Sequence, residues 1–474
     1  MDKKEFIKNI IGYSTASYIG AVLSFVSIPI VTRLFDAVEM GKINLFLVYV
    51  SMISIFCFMG YDSSLVRFYN EPPEKQTSAS LSAICLMISM IFYVIIALCI
   101  LIKGNEISLI ISGIKGYFIP ICLVLSLLGN LLIRYTTLIS RMSQKVLLYS
   151  IQSILLVVIT KFIYVFSALI NPNHKLAIVF LTTSYVVLGV FFVFWFIKLK
   201  LFTLFFNLNK TMIITLSKYA LPIVPAFFIL TMNNSLSQLF LKKYVGYSAI
   251  GIYSNAISIA GILSLVQSGF NIYWPAFVFA YYKTEMHKIK QAHYYISYIM
   301  FLTALIIILF QDIIYILVGH GFRGSKFFFP LLLVSPVVYT IAETTRIGIR
   351  IAKKTFLDVI TSFIILIANF ILCIVLIPLY GVCGAAWSSA ISAIIGLIII
   401  TILGCKYYPA VESYMPMILG FVVMFCAAIF NFTMFNMPTI KIPSIIILII
   451  ILTYIYRSQS MYLLKMLLSF KKNH

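Results

Sequence analysis

The chain reads as an all-α polytopic membrane protein of about fourteen transmembrane helices. Three observations carry that reading. Of its 474 residues, 62% are hydrophobic and only 10% are charged. Apolar runs of roughly 20 residues, the length a bilayer crossing needs, recur from end to end. Lys and Arg gather in alternate connecting segments. A soluble chain of this length could not cover so much apolar surface with so few charges. The net charge of +22 does not indicate nucleic acid, because the basic residues lie between apolar runs and form no continuous patch.

The expected spans fall near residues 9–32, 43–66, 80–102, 117–139, 146–169, 177–197 and 217–241. A second set follows near 252–276, 291–317, 328–347, 356–377, 382–404, 414–435 and 442–457. Gly113, Lys115 and Gly116 interrupt the run before the fourth span, where a short amphipathic surface helix would fit. With the N-terminus inside, 23 of the 35 Lys and Arg fall in inner segments and ten in outer ones. The positive-inside rule then places both termini in the cytoplasm. The first apolar run is too long for a cleaved signal, and no small-residue cleavage site follows it. Seven of the eight Cys fall inside expected spans and Cys405 one residue past the end of one, none with metal-ligand spacing, so neither a metal site nor a disulfide framework is expected.

Faint self-similarity organises the order of these spans. Setting Gly251 on Gly41 places Lys243 on Arg33, and Arg141 to Lys145 falls on Arg350 to Lys354 at nearly the same offset. The expected plan is a six-helix half over 1–200, a second over 201–405, and an appended helix pair with a cytoplasmic tail over 406–474. Pro222 and Pro225 open the second half and free carbonyls for a bend.

Polar residues within the spans are the functional candidates. In the first span Asn9 and Tyr13 lie on a stripe with Ser17, Gly20, Ser24 and Ser27, either a packing face or the wall of a wet cavity. In the second, Asn44 and Asp62 are eighteen residues apart, five helical turns, and so fall on one line. Asp62 either pairs with Arg67 or serves as the proton or cation site. Arg134 either snorkels to the inner interface or faces water or a partner. Lys161 has no acidic partner in its own helix and lies about 15 Å of helix from the outer Asn171, further than a lysine stem reaches. It is the residue best placed for an anion-binding lumen. Asn233, Asn234 and Gln238, with Asn255 and Asn271, suit either sugar hydroxyls or plain interhelical hydrogen bonds. Glu343, Arg346, Arg350 and Asp358 form either a surface ion network or an inner-mouth phosphate site that Arg67 would share.

No P-loop, nucleotide fingerprint or paired His motif is present, and the outer loops are short, which disfavours a membrane polymerase. The stretch Gly60-Tyr-Asp-Ser-Ser-Leu-Val-Arg-Phe-Tyr69, Leu221-Pro-x-x-Pro225, and Gly251-Ile-Tyr253 after a basic hinge resemble Wzx-type polysaccharide flippases. These belong to the multidrug/oligosaccharidyl-lipid/polysaccharide (MOP) superfamily. The resemblance implies a MATE-like pseudo-twofold fold and a non-enzymatic role. It also implies transfer of an undecaprenyl-pyrophosphate-linked O-antigen or capsule repeat unit across the bacterial inner membrane. A cationic lumen working by alternating access, driven by a proton or sodium gradient without other cofactors, belongs to the same picture. The implied partners are the lipid-linked oligosaccharide, membrane lipids, a polysaccharide polymerase and a chain-length regulator. A drug or cation antiporter of the same fold, a peptidoglycan-precursor flippase and a scaffold without transport are the alternatives. The antiporter would want several buried carboxylates, and Asp62 is the one clear candidate.

Overall fold

The computed structural model describes residues 3–73, 77–203, 210–435 and 437–472; the side chains of 3–17, 21, 164, 272, 276, 438, 464 and 466–472 are outside that description. Among the described residues the regular structure is helical throughout, with no strand. The first helices are α1 (Lys3–Leu34), α2 (Ala37–Phe58), α3 (Tyr61–Phe68), α4 (Ser78–Ile102), α5 (Gly104–Ser112), α6 (Phe118–Met142), α7 (Val146–Ile170) and α8 (His174–Lys198). Next come α9 (Lys210–Ala220), α10 (Val224–Tyr244), α11 (Tyr247–Ala260), α12 (Leu263–Tyr281), α13 (Met286–Leu317), α14 (Phe329–Leu332) and α15 (Val334–Ile351). The chain closes with α16 (Phe356–Tyr407), α17 (Met415–Thr433), α18 (Pro438–Ile455) and α19 (Arg457–Lys472).

Among the described residues, nine helices are long and apolar enough to cross a membrane, and three bent pairs raise that to 12. The 52-residue α16 holds two of the expected spans, joined where Gly381 leaves helical geometry at φ 56°, ψ −126°. Counting it twice, together with the apolar Tyr18–Leu34 of α1, accounts for the fourteen expected crossings. The short helix expected before the fourth span is α5, stopped by Gly113 at φ 80°. Pro222 sits in a 3-10 turn, Leu221–Ile223, that joins α9 to α10. This is the break a proline pair allows.

One expected span is divided. Met59 adopts a left-handed conformation at φ 44°, and Gly60 follows at φ 76°. A Cβ on Gly60 would come within 2.3 Å of the Ala220 carbonyl oxygen, so glycine is required by conformation and by packing. The turn separates α2 from α3, and the continuous line from Asn44 to Asp62 expected of a single helix does not exist.

The chain forms two compact units, Met1–Leu239 with Gly246–Gly251, and Phe240–Val245 with Ile252–His474. In the first, α3 is seated against α4, α6 and α9. Tyr61 Oη and Ser217 Oγ are 2.7 Å apart, and Ser64 Oγ donates to the Leu216 carbonyl at 3.0 Å. Small residues bring α6 and α8 together: a Cβ on Gly129 would reach within 2.4 Å of the Tyr185 backbone. Beside it the Ser126 and Thr182 hydroxyls are 2.9 Å apart. Gly41 and Gly251 make a reciprocal crossing of α2 and the first turns of α11. Their Cβ atoms would lie 1.8 Å from the Tyr247 carbonyl oxygen and 2.1 Å from that of Ala37, each four residues before the opposite glycine.

In the second unit, Gly348 and Gly404 play the same part between α15 and α16, with Cβ positions 2.0 and 2.1 Å from backbone oxygens. Around α13 pack α15, α17 and α18. Asp312 Oδ1 receives Lys326 at 2.6 Å and the fully buried Lys441 at 2.7 Å, which fastens the start of α18 to the end of α13.

Candidate functional site

In the first unit, the turn at Met59 and Gly60 presents the first turn of α3 to α6, and Asp62 meets Arg134 across it. The Asp62 Oδ2 oxygen accepts from Arg134 Nη2 at 2.9 Å and Nε at 3.2 Å. Asp62 is 4% exposed, while the Arg134 side chain is 47% exposed. The pair is therefore lopsided: the carboxylate is sealed in protein, and the guanidinium keeps one side open. Asp62 Oδ1 is buried with no hydrogen-bond partner. An acceptor left in that state is costly, so it is a strained point of the site. One turn before Arg134, Asn130 Nδ2 donates to Ser54 Oγ at 2.8 Å, adding a second polar tie from α6 to α2.

The sequence offers Asp62 either a partner in Arg67, five residues on, or a role as a proton or cation site. Arg67 is instead exposed, with its guanidinium 5.5 Å from the Phe68 ring. Neighbours five apart on a helix diverge by more than a turn, and α3 turns Arg67 away from the buried face that holds Asp62. The pairing across 72 positions leaves no local pattern in the sequence.

Lys161 is half-buried on α7, and no described carboxylate lies within ion-pair distance of it. Asn44 is half-buried, as are Asn233 and Gln238, and Asn234 is exposed. The side chains of Asn9 and Tyr13 lie outside the described residues.

In the second unit, Asn255 is buried with its Nδ2 unpartnered, and Asn271 is exposed. Arg346 pairs with Glu343, as their spacing of three predicts, and Arg350 Nη2 reaches the other Glu343 oxygen at 3.0 Å. Arg346 Nε lies 3.5 Å from Asp358 Oδ1, an ionic contact too long for a hydrogen bond. Two guanidinium groups face two carboxylates here, so this is a neutral ion network. Trp274 Nε1 donates to the Glu343 carbonyl at 3.1 Å and the Tyr339 ring lies 5.9 Å from Arg346, which seats the network in an aromatic setting. Back in the first unit, sequence reasoning missed a further group: the backbone and Nδ1 nitrogens of His174 meet Glu39 Oε2, with Lys42 on Oε1 at 3.1 Å. Residues 135 apart supply it, again without a local signal.

The sequence profile of the family described as "Polysaccharide biosynthesis protein" matches residues 6–279. No curated protein matches the sequence. Among solved structures, the chain is similar to the lipid II flippase MurJ in an inward closed conformation. The identity is 13% and the TM-score 0.68, over 94% of this chain and 99% of that one. It is also similar to an inward-facing multidrug resistance MATE family transporter of the MOP superfamily, at 13% identity and TM-score 0.54, over 81% and 94%. A MATE structure in complex with MaD3S aligns at 16% identity and TM-score 0.54, over 84% and 95%. At these identities the likeness establishes the fold alone.

Proposed function

This chain belongs to the polysaccharide biosynthesis protein family, and on that premise we propose that it flips a lipid-linked oligosaccharide across the bacterial cytoplasmic membrane. The substrate is an undecaprenyl-pyrophosphate-linked repeat unit of an O-antigen or capsule, carried from the inner to the outer leaflet by alternating access. Both termini are cytoplasmic in this reading. The observation that supports it is the charge inventory of the spanning helices in the first unit. Among the described residues Arg134 pairs with Asp62 and keeps one side open, while Lys161 has no carboxylate within ion-pair distance.

A sugar headgroup cannot enter hydrocarbon without losing its hydrogen bonds to water, each worth a few kcal/mol. Amide side chains such as Asn44, Asn233, Asn234, Gln238, Asn255 and Asn271, which both donate and accept, are suited to replace them. The pyrophosphate is assigned to Lys161 with the open side of Arg134, since a guanidinium or ammonium gives charge-assisted bonds to phosphate oxygens. Arg346 and Arg350 are poorer candidates, because Glu343 and Asp358 already take their charge. Asp62, the counter-ion of Arg134 with one oxygen unsatisfied, is the residue through which a proton or sodium gradient would act. A drug antiporter of the same fold would need further buried carboxylates in this region.

Lys161→Ala should abolish surface glycan display at unchanged protein abundance, and Lys161→Arg should retain part of it. Normal display in a stably expressed Lys161→Ala strain would refute the assignment.

A further inference from the structure

The last helix leaves the direction of its predecessor. With 18 residues, α18 rises about 27 Å. That is close to the ~30 Å of bilayer hydrocarbon, so it can cross without help from α19. At Tyr456 the chain turns, and the axes of Thr439–Ile455 and Arg457–Leu463 differ by 94°. The corner is built into the unit. Tyr456 is 1% exposed, with its ring 5.6 Å from Tyr298 and 6.5 Å from Phe301 of α13. The Ser460 amide bonds back to the Tyr456 carbonyl at 2.9 Å, and the Tyr462 ring lies 5.5 Å from Tyr295. A helix held at right angles to a span runs along the bilayer surface.

Its chemistry suits that position. The sequence of α19 contains Arg457, Lys465, Lys471 and Lys472 and no acidic residue. Met461 and Tyr462 are 58% and 57% exposed, so protein leaves them uncovered. The segment entering α13 adds Lys283, Lys288 and Lys290, of which Glu285 pairs with Lys288 at 2.6 Å. Exposed apolar side chains beside an excess of cations, with no acid on α19 itself, match the headgroup layer of an anionic membrane. Apolar groups reach the acyl boundary there while ammonium and guanidinium groups meet lipid phosphates. An acidic protein partner would answer the charge but gives no reason for the fixed right angle.

We propose that α19 is an in-plane helix that docks on the anionic phospholipid headgroups of one leaflet, holding the corner between α13 and α18 at the membrane surface. The docking is independent of which substrate the protein carries.

Hydrogen–deuterium exchange of the full chain in nanodiscs tests this directly. Residues 457–472 should exchange at least about tenfold more slowly when phosphatidylglycerol is added to phosphatidylcholine, and high salt should reverse the effect. The variant R457Q/K465Q/K471Q/K472Q should lose the lipid dependence while exchange in α13 and α17 stays as in the native chain. Equal exchange of the native chain in both nanodiscs, or an equal slowing in the charge variant, would overturn the proposal. The lipid comparison on the native chain stands whether or not the variant folds.

Discussion

Arg134→Gln leaves the Asp62 carboxylate, 4% exposed, without either of its two N–H donors and with Oδ1 already unpartnered. Removing one partner of a buried ion pair costs about 3–5 kcal/mol, because the remaining charge has neither water nor a counter-ion. Asp62→Asn removes the opposite member at nearly constant shape. Arg134 is 47% exposed, so its guanidinium finds water, and the loss should be nearer about 1 kcal/mol. The two variants should therefore differ by roughly 2–4 kcal/mol, taken from those two figures. The double variant should recover much of what Arg134→Gln loses. Fluorescence-detected size exclusion after stepwise heating of detergent-solubilised protein reads this order as a rate of inactivation, which suits a membrane protein that unfolds irreversibly. Equal thermal resistance of the single variants, or a weaker Asp62→Asn, would show that the burial asymmetry does not set the energetics of the pair. Transport by Asp62→Asn answers the separate question of coupling: an unchanged response to proton and sodium gradients would remove Asp62 from that role.

The glycine crossing and the topology give two further expectations. Gly41→Ala or Gly251→Ala would drive a methyl to within 1.8 or 2.1 Å of a backbone oxygen, so α2 and α11 must part. Either should lower thermal resistance by about 1–3 kcal/mol, as overpacking does, while Gly321→Ala, with open space around it, should be neutral in the same assay. A cysteine introduced at Lys288 should be inaccessible to an impermeant maleimide in intact cells and react after permeabilisation; labelling from outside would invert the orientation.

The helical class and most element boundaries were legible in the sequence because hydropathy is a local property. A run such as Ser78–Ile102 has to be helical in hydrocarbon, where every backbone N–H and C=O must be satisfied within the segment. Backbone punctuation was legible too where its cause lies in one residue: Pro222 marks the turn between α9 and α10, and Gly113 stops α5. The pairing of Glu343 with Arg346 followed from a spacing of three on one helix. What the tertiary structure alone decided is everything that depends on which helices are neighbours. The break at Met59 and Gly60 needs the Ala220 carbonyl beside it to explain the glycine, and nothing in the apolar run from Ala37 announces it. Asp62 has Arg67 five residues away, yet it takes Arg134, 72 positions on, because α3 and α6 pack face to face and Arg67 points out. Buried carboxylates choose partners by the distance and desolvation of a folded surface, and neither quantity is written in the order of the residues.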